Sequence, residues 1–196
     1  MRSKVTTKRG DQGTTTALDG ETYCKAHPIM HCVGAVDEAR AQIALLQLVL
    51  AAENEKNNAD ILRFLHWILH TLFLIGTECS DPCKKHPEYR RGRLGEQELR
   101  SLEKAQMELE AELDLPSAFI VSASTIPAAH ADLSCTAVRR LEREFAALQA
   151  SCPEFETGIL PAYLNRLSDY LYILARWLEA GKHIPMDYSR LEPPEA

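Results

Sequence analysis

Three short segments of the chain carry residues that can bind an anion. The first is residues 6–16, TTKRGDQGTTT, in which two glycines three apart permit tight turns beside clustered hydroxyls, Lys8 and Arg9. Such groups supply hydrogen-bond donors to phosphate oxygens. The GxxxxGK(S/T) spacing of a Walker A loop is absent. A polar N-terminus without a ligand is the alternative interpretation.

The second and third segments lie within helical patterns. In residues 139–143, RRLER, Arg139 and Arg143 are four apart and share a helix face, so both guanidinium groups can converge on one anion. Glu142 can hold an arginine in place or approach a metal ion. In residues 164–171, LNRLSDYL, Asn165 and Asp169 are four apart beside an apolar stripe, and the amide can hydrogen-bond a nucleotide. A solvated helix face is the alternative for both segments.

Five stretches of helical periodicity must position these residues. They run from residue 35, around residues 61–75 and 99–113, from residue 127 to Cys152, and from residue 161 to Gly181. Without a convincing array of strands, this pattern predicts an all-α five-helix bundle. We expect one domain over residues 1–196: a phosphate-binding loop with at most one short strand (1–33), the bundle (34–180) and a frayed tail (181–196). Residues 118–123 are expected to form a buried connection or a brief strand.

Composition and charge narrow the class of protein. The net charge of -6 argues against a general nucleic-acid binder. The most apolar stretch, residues 64–76, is too short to span a bilayer and carries two histidines, and the first residues lack an apolar signal region. The sequence therefore predicts a cytoplasmic protein without a membrane partner, whose six cysteines are reduced thiols.

One set of soft ligands is unusual for such a protein. Histidines and cysteines recur at four-residue spacing and can complete a tetrahedral zinc or iron site. The residues concerned are His66, His70, Cys79, Cys83 and His86, with His27, His31 and Cys32 as a further set. Solvent-facing histidines and free thiols are the alternative interpretation.

Together, the anion-binding segments occur in the order and spacing of one family. Residues 6–16 contain TKRGDQGTT, which resembles the TKTGDxGTT signature of PduO-type ATP:cob(I)alamin adenosyltransferases. Residues 34–38, GAVDE, resemble the family's GTVDEL, and RRLER resembles its RRAER. Residues 164–171 match the family's LNRLSDYL at every position. The resemblance covers about residues 4–180.

The resemblance implies an enzyme that transfers the 5′-deoxyadenosyl group of ATP to the cobalt of reduced corrinoid, cob(I)alamin, forming adenosylcobalamin and triphosphate. It also implies a five-helix bundle, a homotrimer with active sites between subunits, and Mg²⁺ bound to the triphosphate. A cobalamin reductase and an adenosylcobalamin-dependent enzyme are implied as further partners. Because cobalt(I) is itself the nucleophile, the protein needs only to position the substrates and neutralise the leaving group.

Site residues follow from the family by position. Those implied to bind ATP are Thr7, Lys8, Arg9, Gly10, Thr15, Thr16, Lys25, Arg139, Arg140, Glu142, Arg143 and Asn165. Those implied to serve catalysis are Arg139, Arg143, Asp37 and Phe119, and Phe119 is implied to lie against the corrin.

The chain departs from the family pattern in several places. Cys135 replaces an arginine that in the family pairs with the aspartate matching Asp37 across the subunit interface, and we hypothesise that Arg40 substitutes for it. Residues 122–124, SAS, replace Pro-Gly-Gly on the corrinoid side, and Arg9 replaces a threonine. These departures leave a second function open, a diverged ATP-binding sensor or corrinoid chaperone without adenosyl transfer.

Overall fold

Five α-helices form most of the chain. The structure, a computed structural model, describes residue 6 and residues 8–53, 58–115, 117–121 and 123–191. The helices are α1 Pro28–Glu53, α2 Ala59–Ser80, α3 Glu96–Glu110, α4 Ile126–Ser151 and α5 Leu160–Trp177. The prediction of an all-α five-helix bundle is confirmed.

Helix α1 begins earlier than its sequence pattern suggests. It starts at Pro28, so the expectation that residues 28–33 belong to the N-terminal loop is wrong. Ile29 and Cys32 are both buried and continue the three- and four-residue steps of Val36 and Ala39 back toward the N-terminus. Proline in the first turn costs no helical hydrogen bond, because the first amides have no partner within the helix.

The helices share one continuous set of buried side chains. Helix α1 packs against α2 and α4, α4 packs against α5, and α5 packs against α3. The largest fully buried side chains of this set are Arg176, Tyr163, Tyr170, Phe145, Ile43, Leu46, Leu50, Leu65, Ile68, Leu72, Ile75 and Leu102. Helix α4, which carries four of the predicted site residues, is therefore in contact with both α1 and α5, which carry one each.

A two-stranded hairpin precedes the bundle, where at most one strand was expected. Strand β1 (Thr14–Thr16) pairs antiparallel with β2 (Thr22–Cys24), with Thr15 opposite Tyr23. The turn between them contains Gly20 at φ 81°, a conformation that glycine adopts without steric cost. Residues 14–24 are thus a folded element.

The segment before α4 is exposed, which contradicts the expectation of a buried connection. Phe119 is 82% exposed, and Ile120 forms an isolated antiparallel bridge with Pro185. The amide of Val121 donates to the Ile184 carbonyl at 2.8 Å. The chain beyond Gly181 is accordingly paired with this segment, and the expectation of a wholly frayed tail is wrong for residues 184–186.

Within the described residues, α2 is long and apolar enough to cross a membrane by length and composition. One of its faces lies in the bundle core, where Ile68 and Leu72 are fully buried. His66 and His70 are exposed on another face. Core helices of soluble proteins combine these features.

Candidate active site

The cations of α4 project from the side of the helix that faces away from the core. Leu141 is fully buried, as its position in the apolar stripe of α4 requires. Arg139, Arg140 and Arg143 are exposed on other sides of the same turns. The guanidinium of Arg143 donates to the backbone carbonyl of Arg139 at 3.1 Å, which holds the Arg143 side chain along this face of α4. Both guanidinium groups are therefore available to an anion above this face.

Neighbouring helices orient the polar groups around these arginines. Arg140 pairs with Glu38 of α1 at 2.5 Å. On the other side, the Asn165 amide nitrogen of α5 donates to Glu142 at 3.3 Å, and its oxygen accepts from Arg166 at 2.7 Å. The structure thus brings Arg139, Arg140, Glu142, Arg143 and Asn165 together on one surface of α4 and α5.

The N-terminal loop forms a second, separate cluster. Its backbone is tightly curled, since the Gly13 amide donates to the Gly10 carbonyl at 3.2 Å and the Lys25 amide donates to the Gly13 carbonyl at 2.9 Å. Lys8 has φ 59°, which is unusual for a residue other than glycine. A Cβ atom on Gly10 would lie 3.2 Å from the Lys25 ammonium, so this ammonium group lies against the loop backbone. The loop thus combines a compact backbone with the ammonium group of Lys25.

The two predicted loop threonines lie on β1, at the edge of this cluster. Thr15 is half-buried, and the Thr16 hydroxyl lies 3.4 Å from that of Thr22. Thr7 lies outside the residues that the structure describes.

The hairpin is attached to the C-terminal end of α2 and to the connection that follows it. Buried Asp19 accepts hydrogen bonds from the Tyr23 hydroxyl at 2.6 Å and from the Glu21 amide at 3.0 Å. Burial and the carboxylates of Asp19 and Glu21 raise the pKa of Tyr23. Lys85 pairs with Glu21 at 3.0 Å, and the amide of Leu18 donates to the Ser80 hydroxyl at 2.9 Å. Sequence reasoning missed Asp19, although its Asp-Gly step is a hairpin-turn signal.

Ion pairing divides the cations of the chain into two groups. Most lysines and arginines of the described residues lie within 4.0 Å of a described carboxylate. The described cations without such a partner are Lys8, Arg9, Lys25, Arg91, Arg139, Arg143 and Lys182. All of these except Arg91 and Lys182 are predicted ATP-binding residues. Five cations without an ion-pair partner among the described residues therefore lie on the loop and on the outer face of α4, where a polyanion can bind.

The two clusters are not in direct polar contact within one chain. Within the described residues, no hydrogen bond or ion pair joins residues 8–25 to α4. The loop is attached to the end of α2, whereas Arg139 and Arg143 face outward from α4.

Arg40 lies beside Asp37, as the sequence suggested. Its Nη1 atom is 3.3 Å from Asp37 Oδ1, and its guanidinium lies 5.1 Å from the centre of the Phe73 ring. Cys135 is buried, and its thiol donates to the Ser168 carbonyl at 3.3 Å. Burial raises the pKa of Cys135 to about 11, so this residue is a neutral packing group.

Phe119 lies beside an open cavity of about 450 Å³. The cavity is lined by Val121, Ile184, Pro185 and others from the C-terminal segment. The Met186 amide donates to the Phe119 carbonyl at 2.6 Å, so the backbone of Phe119 lies at the rim of the cavity, whose lining does not include its ring. An exposed aromatic ring at an apolar cavity can bind a flat, largely apolar ligand.

The soft ligands do not converge on a metal site. His66 and His70 approach each other at 3.2 Å on α2, while Cys79 is buried in the core and His86 pairs with Glu88. In the described part of the chain, no group of three or more His, Cys, Asp or Glu can hold a metal ion. The hypothesis of a single site built from these residues is wrong, because the helix separates its members.

Comparisons with known proteins identify the family of this chain. The model of the cobalamin adenosyltransferase family matches residues 5–178. The corrinoid adenosyltransferase PduO of Salmonella typhimurium is 28% identical over 91% of this chain, which spans only 51% of that protein's length. The cobalamin adenosyltransferase of Cupriavidus metallidurans is 33% identical over 90% of this chain and 88% of its own length.

A solved structure shares the fold. It is a variant PduO-type ATP:corrinoid adenosyltransferase from Lactobacillus reuteri complexed with cobalamin and ATP, with a TM-score of 0.80 and 23% identity. The match covers 95% of this chain and 97% of that one. Because the family model extends over nearly all of the sequence, this chain belongs to the cobalamin adenosyltransferase family.

Proposed function

We propose that this chain transfers the 5′-deoxyadenosyl group of ATP to the cobalt of reduced corrinoid, releasing triphosphate. Cobalt(I) supplies the electron pair that forms the cobalt–carbon bond to C5′, and the bond between C5′ and the triphosphate oxygen breaks. The triphosphate oxygen keeps the electron pair of the broken C5′–O bond, and the leaving group departs as triphosphate. The reaction therefore creates negative charge at the triphosphate, and a catalyst must neutralise it.

The observation that carries this proposal is the distribution of unpaired cations. Lys8, Arg9 and Lys25 on the loop, with Arg139 and Arg143 on α4, lack a described carboxylate partner in a chain whose net charge is -6. In our proposal these groups hold the triphosphate. Hydrogen bonds to charged groups contribute about 1.5–3 kcal/mol each. Two or three of them are enough to orient ATP and stabilise its leaving group.

The polar residues around the arginines have supporting roles in this proposal. Arg140 is held by Glu38, and Asn165 spans Glu142 and Arg166, so the Asn165 amide is pre-positioned to contact the nucleotide. We propose that Thr7, Gly10, Thr15 and Thr16 complete the loop around the phosphates. Mg²⁺ would bind mainly to triphosphate oxygens, where it neutralises charge, and Glu142 of α4 is a carboxylate that can approach it.

On the corrinoid side, we propose that Phe119 lies against the corrin ring. Its 82% exposure and its place at the rim of the apolar cavity beside residues 184–186 support this role. An aromatic ring on that face would keep an axial ligand away from cobalt and favour its four-coordinate state. Such a state makes Co(II) easier to reduce.

We also propose that the chain is a single cytoplasmic domain that assembles as a homotrimer with active sites between subunits. The lack of a described polar contact between the loop and α4 within one chain is compatible with this assembly, in which the loop of one subunit and α4 of another contact the same ATP. The contact between Arg40 and Asp37 would then contribute to the interface. A cobalamin reductase and an adenosylcobalamin-dependent enzyme are the partners that the substrate and product require.

The test is an adenosylation assay with ATP, Mg²⁺ and chemically reduced cobalamin. We expect ATP-dependent loss of the cob(I)alamin absorption band and formation of adenosylcobalamin. Protein that has been denatured by heat is the control for uncatalysed reaction. ATP binding without any turnover would contradict the proposed reaction.

One observation favours a second function, nucleotide binding without adenosyl transfer. Cys135 is a buried neutral residue, so it cannot supply the positive charge that family members direct at the position of Asp37. Arg40→Ala separates the two functions, because in the enzyme the Arg40 contact with Asp37 compensates for Cys135. We expect this variant to lose trimer or adenosylation activity. Wild-type behaviour in both would overturn the compensation.

A further inference from the structure

Two cysteines that are far apart in sequence meet at the surface of the bundle. The sulfur atoms of Cys83 and Cys152 are 3.5 Å apart, although 69 positions separate the residues. Cys83 lies in the connection between α2 and α3 and is exposed. Cys152 directly follows α4 and is partly exposed. A small reagent can therefore reach both thiols.

Contacts on either side of the pair keep the two segments together. Lys84 forms an ion pair with Glu156, and Arg93 donates to the Glu156 carbonyl at 3.2 Å. The Cys152 amide donates to the Leu148 carbonyl at 3.0 Å, so this cysteine extends the hydrogen bonding of α4. The thiols thus face each other because the surrounding backbone is anchored.

The other cysteines are placed differently. Cys32 and Cys79 are a second contacting pair, but both are fully buried and inaccessible to reagents in the folded chain. Cys135 is buried, and exposed Cys24 has no thiol partner among the described residues. The described residues around Cys83 and Cys152 also lack the further ligands that a metal site needs. Reversible oxidation is the chemistry that remains for this pair.

We propose that Cys83 and Cys152 form a reversible intramolecular disulfide by exchange with a small disulfide of the glutathione class. The Cys83 thiolate attacks one sulfur of the small disulfide, which gives a mixed disulfide and releases one thiol. Cys152 then attacks the Cys83 sulfur and releases the second thiol. The protein loses two electrons and two protons, and the small disulfide is reduced to two thiols.

The surroundings of Cys83 control the rate of this exchange. Partial burial and the contacts with Cys152 and Glu154 raise the pKa of Cys83 to about 11. Since the thiolate is the attacking species, exchange is slow at neutral pH and becomes faster as pH rises toward that value. The pair is therefore stable as free thiols until an oxidising small disulfide accumulates.

The disulfide would connect an irregular segment of the chain to the end of a helix. Cys83 lies in an irregular connection, two residues before Lys85, which pairs with Glu21 of the hairpin. Cys152 terminates α4, a helix that contributes heavily to the core. Cross-linking ties the connection to the core and restricts its opening. This consequence does not depend on the proposed enzymatic activity.

The test is incubation of the full-length protein with oxidised glutathione at pH 8, followed by alkylation of remaining thiols and non-reducing peptide mapping. We expect a peptide that joins Cys83 to Cys152, reversed by dithiothreitol and absent from Cys83→Ser and Cys152→Ser. Cys24→Ser is the matched control and retains the cross-link. Glutathione attached stably to Cys83 in the wild type, with Cys152 alkylated, would overturn the proposal.

Hydrogen exchange gives a second readout. Amides of residues 82–93 should exchange at least several-fold more slowly in the oxidised wild type than in the reduced form. Cys152→Ser treated in the same way should show no such slowing. Equal exchange in the oxidised and reduced wild type would show that the cross-link does not restrict the connection.

Discussion

Replacing Arg176 by alanine should remove the central cation of a buried network at the end of α5. Arg176 is 2% exposed, and its guanidinium contacts Asp132 of α4 at 2.6 Å and Glu179 at 3.4 Å. Fully buried Glu179 also contacts His183 at 2.7 Å and accepts from the Ser124 amide at 2.8 Å. The network joins α4, α5, the C-terminal segment and the residues that precede α4.

The burial of these groups sets the magnitude of the effect. Removing one partner of a buried ion pair costs about 3–5 kcal/mol, because the other charge remains buried. Asp132 is only half-buried, and desolvation raises its pKa despite the neighbouring arginine, so it can be neutralised or hydrated. We therefore expect Arg176→Ala to lower the free energy of unfolding by about 3 kcal/mol, the lower end of that range.

The assay is urea unfolding at one fixed protein concentration, since an oligomer's stability depends on concentration. Arg63→Ala is the control, because Arg63 pairs with Asp60 at the surface. The side chains of Arg63 and Asp60 are 75% and 84% exposed, respectively. Exposed pairs of this kind contribute about 0–1 kcal/mol. A loss for Arg176→Ala no larger than that for Arg63→Ala would refute the reasoning that the network stabilises the fold.

Three further perturbations test separate parts of the structure. Burial raises the pKa of Glu78 above 4.5, so the folded state binds its proton more tightly and stability falls as pH rises from 4.5. In urea titrations at several pH values, the free energy of unfolding of Glu78→Gln should lack that part of the fall. Identical pH profiles of stability in the wild type and the variant would contradict this expectation. Ser80→Ala should accelerate hydrogen exchange at Leu18 without changing the melting temperature appreciably; unchanged exchange would mean that the hydroxyl does not hold the hairpin. Thr125→Ala removes the side chain that caps α4 at Ala128 and should cost about 1 kcal/mol in thermal unfolding, whereas Thr125→Ser should not.

The helical periodicity of the sequence predicted the bundle, because burial of one helix face leaves a repeated apolar pattern. The periodicity predicted structure least accurately at the ends of helices and in short strands, where local backbone geometry decides the structure. Pro28 marks the first turn of α1, but Gly34 and the polar residues around it hide the continuation of the apolar stripe to Ile29. The hairpin escaped prediction because its three-residue strands are too short to show alternation.

The sequence placed Arg139 and Arg143 on one face, since four-residue spacing in a helix fixes their direction. It could not show that their charges are unpaired, because that depends on which carboxylates other helices bring near. The contact of Cys83 with Cys152 depends on the same kind of long-range packing. Sequence spacing therefore predicted which residues share a face of one helix, whereas contacts between different elements could be seen only in the folded structure.

The most direct test of whether the arginine face of α4 binds the triphosphate of ATP uses two double variants. It compares how their adenosylation rates depend on ATP concentration. Arg139→Ala with Arg143→Ala removes the unpaired cations of α4, and Arg91→Ala with Lys182→Ala removes two unpaired cations outside the proposed site. We expect a loss of at least 100-fold in kcat/KM for ATP in the first variant, since two charged hydrogen bonds contribute about 3 kcal/mol or more. In the second variant, we expect kcat/KM for ATP to change by less than threefold. Equal losses in both variants would contradict the claim that this arginine face binds the triphosphate of ATP.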